Sequence, residues 1–367
     1  MRIALVSPGY PPAPGGVEVV VAQTARALAR TGASVEVLAQ ERGRDLPQVT
    51  GDEGVVVRRF RATSGAAYPV APGLWRHLHR HRTEYDIVHG HNYHCVAAAG
   101  AAMVVRGNES PRFVFSPHYH GVGHTALASL MHHAYRPMGR ATIARAAAVV
   151  CVSRAEAGLV AEHFPFAAPR IDVVPNAVDT AALVDAEPWP KQPPTVLSVG
   201  RLERYKGIGR LLTAFQLVPG PAQLVVIGEG PDRERLEKLA AELGITERVR
   251  FLGRVDDAEL ARWQRTARAF CSLSEREAFG LAPAEALAAG AAVVLSDIPA
   301  HGELVSDGPG VLIGPRDDDA RIAFALVSAL DQGSQTPRPA ARGWDDVATA
   351  LRDVYEHILA ASPGEAR

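Results

Sequence analysis

This chain of 367 residues is short of several things, and each shortage closes off a class of protein. No apolar run approaches the roughly 18 residues that a membrane-spanning helix needs. The opening stretch, Met1 to Ser7, is too brief an apolar segment for a secretory leader and runs into a Pro/Gly loop, so a cytoplasmic protein is expected. Cysteine occurs only at Cys95, Cys151 and Cys271. An odd set without metal-type spacing offers neither a disulfide framework nor a zinc site, and reads as small buried residues. No basic patch with interleaved aromatics is present, which argues against nucleic acid as a partner. The turn after the first apolar run lacks G-x-G-x-x-G, which argues against a nicotinamide dehydrogenase. Lysine is scarce too: beside Lys191 and Lys238, Lys206 stands out in its glycine-flanked loop.

What is present in quantity is ordinary. A hydrophobic content of 47% and a charged content of 22% suit a soluble globular protein. The length exceeds one typical core and suggests two domains. The formal charge of −1 conceals about +4 through Asp185 and about −5 after it. Strand candidates lie at 3–7, 34–39, 55–60, 86–89, 112–116 and 148–153, then at 195–199, 223–227, 249–252, 269–273 and 292–295. Helical patterns alternate with them, the pattern of parallel sheets covered on both faces. Between the halves, residues 185–194 hold four prolines and read as a linker. The expected architecture is therefore α/β: two doubly wound, Rossmann-like domains, 1–185 and 186–343, facing across a cleft. Ligands in such sheets bind beyond the carboxyl ends of the strands.

The most informative segment is Glu277-Ala-Phe-Gly-Leu-Ala-Pro-Ala-Glu285. Pro is favoured at the first position of a helix, so a helix is expected over 282–289, beginning near Pro283. Glu277 then lies on the preceding loop and Glu285 in the first turn, with the amides of Gly280 and Leu281 free. Such a terminus attracts anions. Carboxylates beside it suit hydroxyls rather than the anion itself, and hydroxyls flanking phosphates describe a nucleotide-sugar. Read alone, the pair would be two solvated glutamates near a helix cap. Gly200-Arg201-Leu-Glu-Arg-Tyr-Lys206-Gly207 follows another strand, and its guanidinium and ammonium suit a diphosphate. Gly15-Gly16 follows the first strand and opens a helix, where backbone can approach a phosphate. Gly228-Glu-Gly230 and Gly253-Arg254-Val255 are further turns at strand ends that could meet a base. His118, His120 and His124 sit near His89, His91 and His94. Their spacing leaves three readings open: a metal site, a substrate-positioning cluster, or structural histidines.

In combination and order these motifs resemble the family 4 glycosyltransferases, retaining enzymes of the GT-B fold. The resemblance runs over essentially the whole chain. It also draws on Ser116-Pro-His118-Tyr-His120, Val174-Pro-Asn176-Ala-Val-Asp179, Ile227-Gly-Glu-Gly-Pro231 and Phe251-Leu-Gly-Arg254. It implies an N-terminal acceptor domain, a C-terminal nucleotide-sugar donor domain, and a last helix in 344–367 returning to the N-terminal domain. Arg201 and Lys206 would grip the donor diphosphate, to which Gly16, beside Gly15, would give an amide. Glu277 would hold hydroxyls of the transferred sugar and Glu285 the ribose, while Phe279, Gly280 and Leu281 would supply amides. Arg254 and Val255 would border the base, and His118 would sit at the reacting face. Ala177 departs from the family's usual glycine after Asn176, a matter of one local turn.

The implied reaction moves a hexosyl unit from a nucleotide-diphosphate sugar to a hydroxyl of a lipid, glycan or small metabolite, with retention and without a metal or other cofactor. An NDP-sugar 2-epimerase in the same fold, or a catalytically silent sugar-nucleotide-binding subunit, are the alternatives. Residues 74–82 form a basic segment with Leu74, Trp75 and Leu78 toward one face. It is either an ordinary surface helix or a weak peripheral contact with the cytoplasmic face of a membrane.

Overall fold

The structure, a computed structural model, describes the chain apart from residues 14, 44–45, 64–67, 106–110, 122–125, 307–308, 335, 338–341 and 362–367, and the side chains of 126–134. The chain divides into two compact units, Met1–Asn176 with Trp344–Arg367, and Ala177–Gly343.

The first unit is built on β1 (Arg2–Ser7), β2 (Ser34–Glu41), β3 (Val49–Asp52), β4 (Val55–Arg61), β5 (Ile87–His91), β6 (Arg112–Ser116), β7 (Ala148–Cys151) and β8 (Ile171–Val173). They form one sheet in the order β3-β4-β2-β1-β5-β6-β7-β8. Every pairing is parallel except the β3–β4 hairpin. Its helices are α1 (Gly16–Arg30), α2 (Pro72–His81), α3 (Val96–Val104), α4 (Ala126–Arg145) and α5 (Arg154–His163).

The second unit holds α6 (Thr180–Asp185), β9 (Thr195–Val199), α7 (Ile208–Gln216), β10 (Gln223–Ile227), α8 (Arg233–Glu242), β11 (Val249–Gly253), α9 (Asp257–Thr266) and β12 (Ala269–Ser272). It continues through α10 (Leu281–Ala288), β13 (Ala292–Ser296), α11 (Pro299–Val305), β14 (Gly310–Ile313) and α12 (Asp319–Gln332). The sheet order is β11-β10-β9-β12-β13-β14, all parallel. One face packs Val196, Leu224, Val226, Cys271 and Val294 under α7 and α12, and the other packs Leu197, Val225, Phe270, Val293 and Leu295 against Trp263 and Ala286. Burial on both faces explains why these strands read as unbroken apolar runs. The three cysteines are free and buried.

The last helix, α13 (Trp344–Ala360), belongs to the first unit and packs on α1. Arg30 reaches Asp345 at 2.7 Å, and Arg112 donates to the carbonyl of Ala361 at 2.9 Å.

Two expectations need correction, and a third segment is placed. The division falls after Asn176 rather than at 185/186, because α6 packs on α9 and α10. The proline-rich stretch is no loose linker: the Trp189 amide donates to Thr266 Oγ1 at 2.8 Å, and the Arg262 guanidinium lies 3.5 Å over the Trp189 ring. The apolar face of α2 is also already used. Leu74 and Leu78 are fully buried and Trp75 Nε1 donates to the Ala97 carbonyl, leaving Arg76, His79 and Arg80 exposed. Among the described residues, no helix is long and apolar enough to cross a membrane.

Candidate functional site

In the second sheet the strand order reverses between β9 and β12, so the loops after these two neighbours open the crevice where doubly wound sheets bind ligands. Arg201 and Lys206 lie on the first loop, Glu277 on the second.

Gly207 lets the loops meet. It adopts φ +70°, and an added Cβ would collide with the carbonyl of Leu273 at the end of β12. The amide of Glu275 then donates to the Tyr205 carbonyl at 2.8 Å. Across this junction Lys206 Nζ meets Glu277 Oε1 at 2.6 Å, both side chains about one-fifth exposed (19% and 21%). Burial alone would lower the Lys206 pKa, but the facing carboxylate carries it above the ordinary lysine value. The loop after β10 backs this arrangement. Gly228 passes so close to Gly200 that a Cβ would strike its carbonyl, and the amides of Gly200 and Gly228 donate to Ile227 at 3.0 Å and Gly253 at 2.7 Å.

The helix after Glu277 differs from expectation. α10 starts at Leu281, capped by Gly280 in a left-handed conformation at φ +96°, so that backbone turn, not Pro283, sets the start. Phe279 packs against the apolar cluster that includes Val178, Leu183 and Ala284. Among the described residues, the amides of Phe279 and Gly280 have no protein acceptor. Starting earlier puts Glu285 beyond the first turn, facing α9, where Gln264 Nε2 donates to its Oε2 at 2.7 Å. Burial pushes the Glu285 carboxyl up to about 7, against the pull of that hydrogen bond.

Lys206, Glu277 and the α10 terminus are thus brought together. Arg201 is not: its side chain is 67% exposed and pairs with Glu203 at 2.6 Å. Arg254 is exposed and Val255 is half-buried on the apolar layer beneath α9. His301 is a neighbour the motifs did not disclose. Fully buried on α11, it sits beside Gly280, bonds through Nδ1 to Ser296 at 3.1 Å, and leaves Nε2 without a partner. A histidine in Pro-Ala-His-Gly carries no spacing signal, so sequence alone passes over it.

In the first unit, Gly15 caps α1 at φ +149° and Gly16 is the first helical residue. The Glu18 carboxylate lies against Gly15, where an added Cβ would collide with it. His118 follows β6 with φ +47°, a left-handed backbone uncommon outside glycine. Its Nε2 lies 3.2 Å from His91 Nδ1, and the rings stack with centroids 5.5 Å apart. His94 and His120 rings are 6.3 Å apart, while His124 lies outside the described residues. Among the described residues, no group of three or more His, Cys, Asp and Glu side chains is placed to hold a metal ion.

Comparisons with known proteins follow the same division of the chain. Residues 14–182 match the family model described as Glycosyltransferase Family 4, and residues 179–342 the one described as Glycosyl transferases group 1. A phosphatidyl-myo-inositol mannosyltransferase of Mycobacterium leprae is 30% identical, over 98% of this chain and 97% of that protein. A D-inositol 3-phosphate glycosyltransferase of Xylanimonas cellulosilytica is 30% identical, over 95% and 93%. Among solved structures, sucrose-phosphate synthase from Thermosynechococcus elongatus aligns with TM-score 0.76 at 23% identity, over 98% of this chain and 96% of that one. Anabaena HepE in complex with UDP and glucose aligns with TM-score 0.72 at 20% identity, over 98% and 100%.

Proposed function

Because this chain belongs to glycosyltransferase family 4 and carries the GT-B fold, we propose that it moves a hexosyl unit from a nucleotide-diphosphate sugar to a hydroxyl acceptor, with retention at the anomeric carbon. The observation that carries the donor assignment is the Lys206–Glu277 contact at 2.6 Å, held at the β9/β12 switch point beside the unpartnered amides before α10.

Those groups divide the work. Lys206 and the amides at Phe279 and Gly280 face the diphosphate, and exposed Arg201 is free to swing from Glu203 onto it. Glu277 accepts hydrogen bonds from sugar hydroxyls, and Glu285 from the ribose. Gly16 and His118 keep the donor roles that the family resemblance implies, and Arg254 with Val255 borders the base. In the transfer step the bond from the anomeric carbon to the diphosphate oxygen breaks, and its electron pair stays with the phosphate. The acceptor oxygen bonds to the anomeric carbon, and its proton passes to the departing phosphate oxygen. Charge grows on that phosphate as the bond breaks, so preorganised donors there lower the barrier, each by about 2.7–4 kcal/mol. These groups can carry that charge without a metal.

The test combines binding and turnover. Calorimetry with UDP, GDP, ADP and dTDP on the wild type should show one preferred nucleotide, lost in Arg201→Ala/Lys206→Ala. Glu277→Ala should abolish transfer, by about 100-fold or more, while leaving the melting temperature near wild type. Acceptor screening begins with inositol phosphates and phosphatidylinositol, after the names of the two 30% relatives. Near-normal turnover by Glu277→Ala would show the donor site to be misplaced.

A further inference from the structure

Behind His118 runs a chain of buried polar side chains that the proposed reaction does not call on. Tyr355 of α13 places its hydroxyl 2.7 Å from His89 Nδ1, and His89 Nε2 lies 2.9 Å from Ser116 Oγ. The His89 ring stacks on His91 at 4.2 Å between centroids, and His91 stacks on His118. His89 and Tyr355 have no exposed surface and His91 only 2%. Such groups are costly inside a core unless their polar atoms are matched.

The loop bearing His118 is pinned on both sides. The Tyr93 amide donates to the Pro117 carbonyl at 2.6 Å, and the Tyr119 amide to Glu156 Oε1 at 2.5 Å. These bonds hold His118 at its left-handed φ of +47°. Backbone held in a sparsely populated region points to a side chain whose direction matters.

We propose that His91 is a positioning residue that donates Nδ1–H to His118 Nε2, fixing His118 as the tautomer whose proton sits on Nδ1. The assignment follows from the bonding pattern. His91 Nε2 is buried with no partner. With its proton on Nε2, His91 would bury an orphan donor, whereas a proton on Nδ1 leaves only an unfilled acceptor, the more tolerated of the two. His118 Nε2 must then accept, and its own proton moves to Nδ1. Burial supports neutral rings throughout: it pushes His118 down to about 4, His89 to about 3, and His91 well below the ordinary histidine range. A neutral His118 presenting Nδ1–H is a hydrogen-bond donor at that edge and no general base. This agrees with a transfer in which the departing phosphate takes the acceptor's proton. The inference rests on the reading that His118 lies beside the transferred sugar.

The experiment uses the full chain labelled with ¹⁵N-histidine, with His118 resonances identified by their loss in His118→Asn. In the wild type, His118 should show the shifts of a protonated Nδ1 and an unprotonated Nε2. His91→Phe keeps a stacking ring but removes the donor, and should move the His118 proton to Nε2. It should lower kcat about tenfold with KM for the nucleotide-sugar little changed. His91→Asn, whose amide nitrogen reaches roughly the place of Nδ1, should recover most of that rate and the original shifts. A wild-type His118 protonated on Nε2, or wild-type kcat in His91→Phe, would overturn the proposal. Undiminished transfer by His118→Asn would instead defeat the placement of His118 beside the sugar. The wild-type and His91→Phe spectra would still decide whether His91 sets the tautomer.

Discussion

Lys206 is one of three lysines in a chain that elsewhere uses arginine, and its partner suits an ammonium to the phosphate contact proposed for it. A compact charge on a flexible stem can leave the single Glu277 oxygen at 2.6 Å and turn to a phosphate, where a guanidinium would favour a bidentate grip on the carboxylate. Glu285, proposed for the ribose, has a testable signature. Burial pushes its carboxyl to about 7, so between pH 8 and pH 6 it passes from mostly ionised to mostly protonated. A protonated carboxyl accepts hydrogen bonds poorly, so affinity for the preferred nucleotide should weaken severalfold over that interval. In Glu285→Gln the same titration should be flat apart from the ligand's own phosphate ionisation. A wild-type profile no steeper than the variant's would remove Glu285 from the ribose contact. At this scale the motifs bring Glu277 and Lys206 forward, and the fold places the two side chains in contact. The sequence is silent on His301 and offers His91 only as one of a histidine cluster, because which ring nitrogen finds a partner is set once the fold closes.

At the scale of elements, two glycines with nearly the same φ make a controlled comparison. Gly207 has φ +70° and Gly244 φ +68°, but an added Cβ meets the Leu273 carbonyl at Gly207 and nothing within 4 Å at Gly244. Gly244→Ala should cost only the left-handed strain, about 1–2 kcal/mol of stability. Gly207→Ala should cost more, and should also displace the loop that carries Lys206, so that calorimetric nucleotide binding is lost. If both variants bind alike, the junction between the β9 and β12 loops does not position the site. The same scale explains which strands could be read from sequence. The buried strands of both sheets appear as apolar runs, whereas β3 and β8 do not, and each of those lies at a sheet edge. Their burial is partial, with Ile171–Val173 largely exposed and Val49–Asp52 alternating, so the two-sided apolar signal is missing. The α10 start was misplaced for a related reason: proline is visible as a letter, while the left-handed turn at Gly280 is visible only as a conformation.

Across the whole molecule, buried ionisable groups of opposite tendency shape stability against pH. Burial pushes Glu156 up to about 8 despite the amides of Val152 and Tyr119 that it accepts, and Glu285 up to about 7. Folding keeps these carboxyls protonated, so the stability they contribute is complete below the ordinary glutamate pKa and lost as pH rises through 7 and 8. His89, His91 and His118 act in the other direction. Their contribution is present above an ordinary histidine pKa of about 6.5 and is lost as pH falls toward 4. We expect denaturant stability to peak near pH 6.5 and decline on both sides, with the alkaline decline shallower in Glu285→Gln. Stability that climbed steadily from pH 6.5 to 8 would contradict this balance. The division into two units was also partly readable: proline density marks where regular structure stops, but it does not reveal that 185–194 stays packed on the second unit through Trp189.

The place of α13 in the first unit bears on how the chain matures. Residues of the second unit, Ala177–Gly343, are one uninterrupted stretch, while the first unit waits for Trp344 onward. On a ribosome, the second unit is therefore complete in the nascent chain before the first has received the helix that covers α1. Until that helix emerges, His89 lacks the hydroxyl of Tyr355, and the histidine stack is without one of its hydrogen-bond partners. The half of the molecule synthesised first is in this sense the half that finishes last.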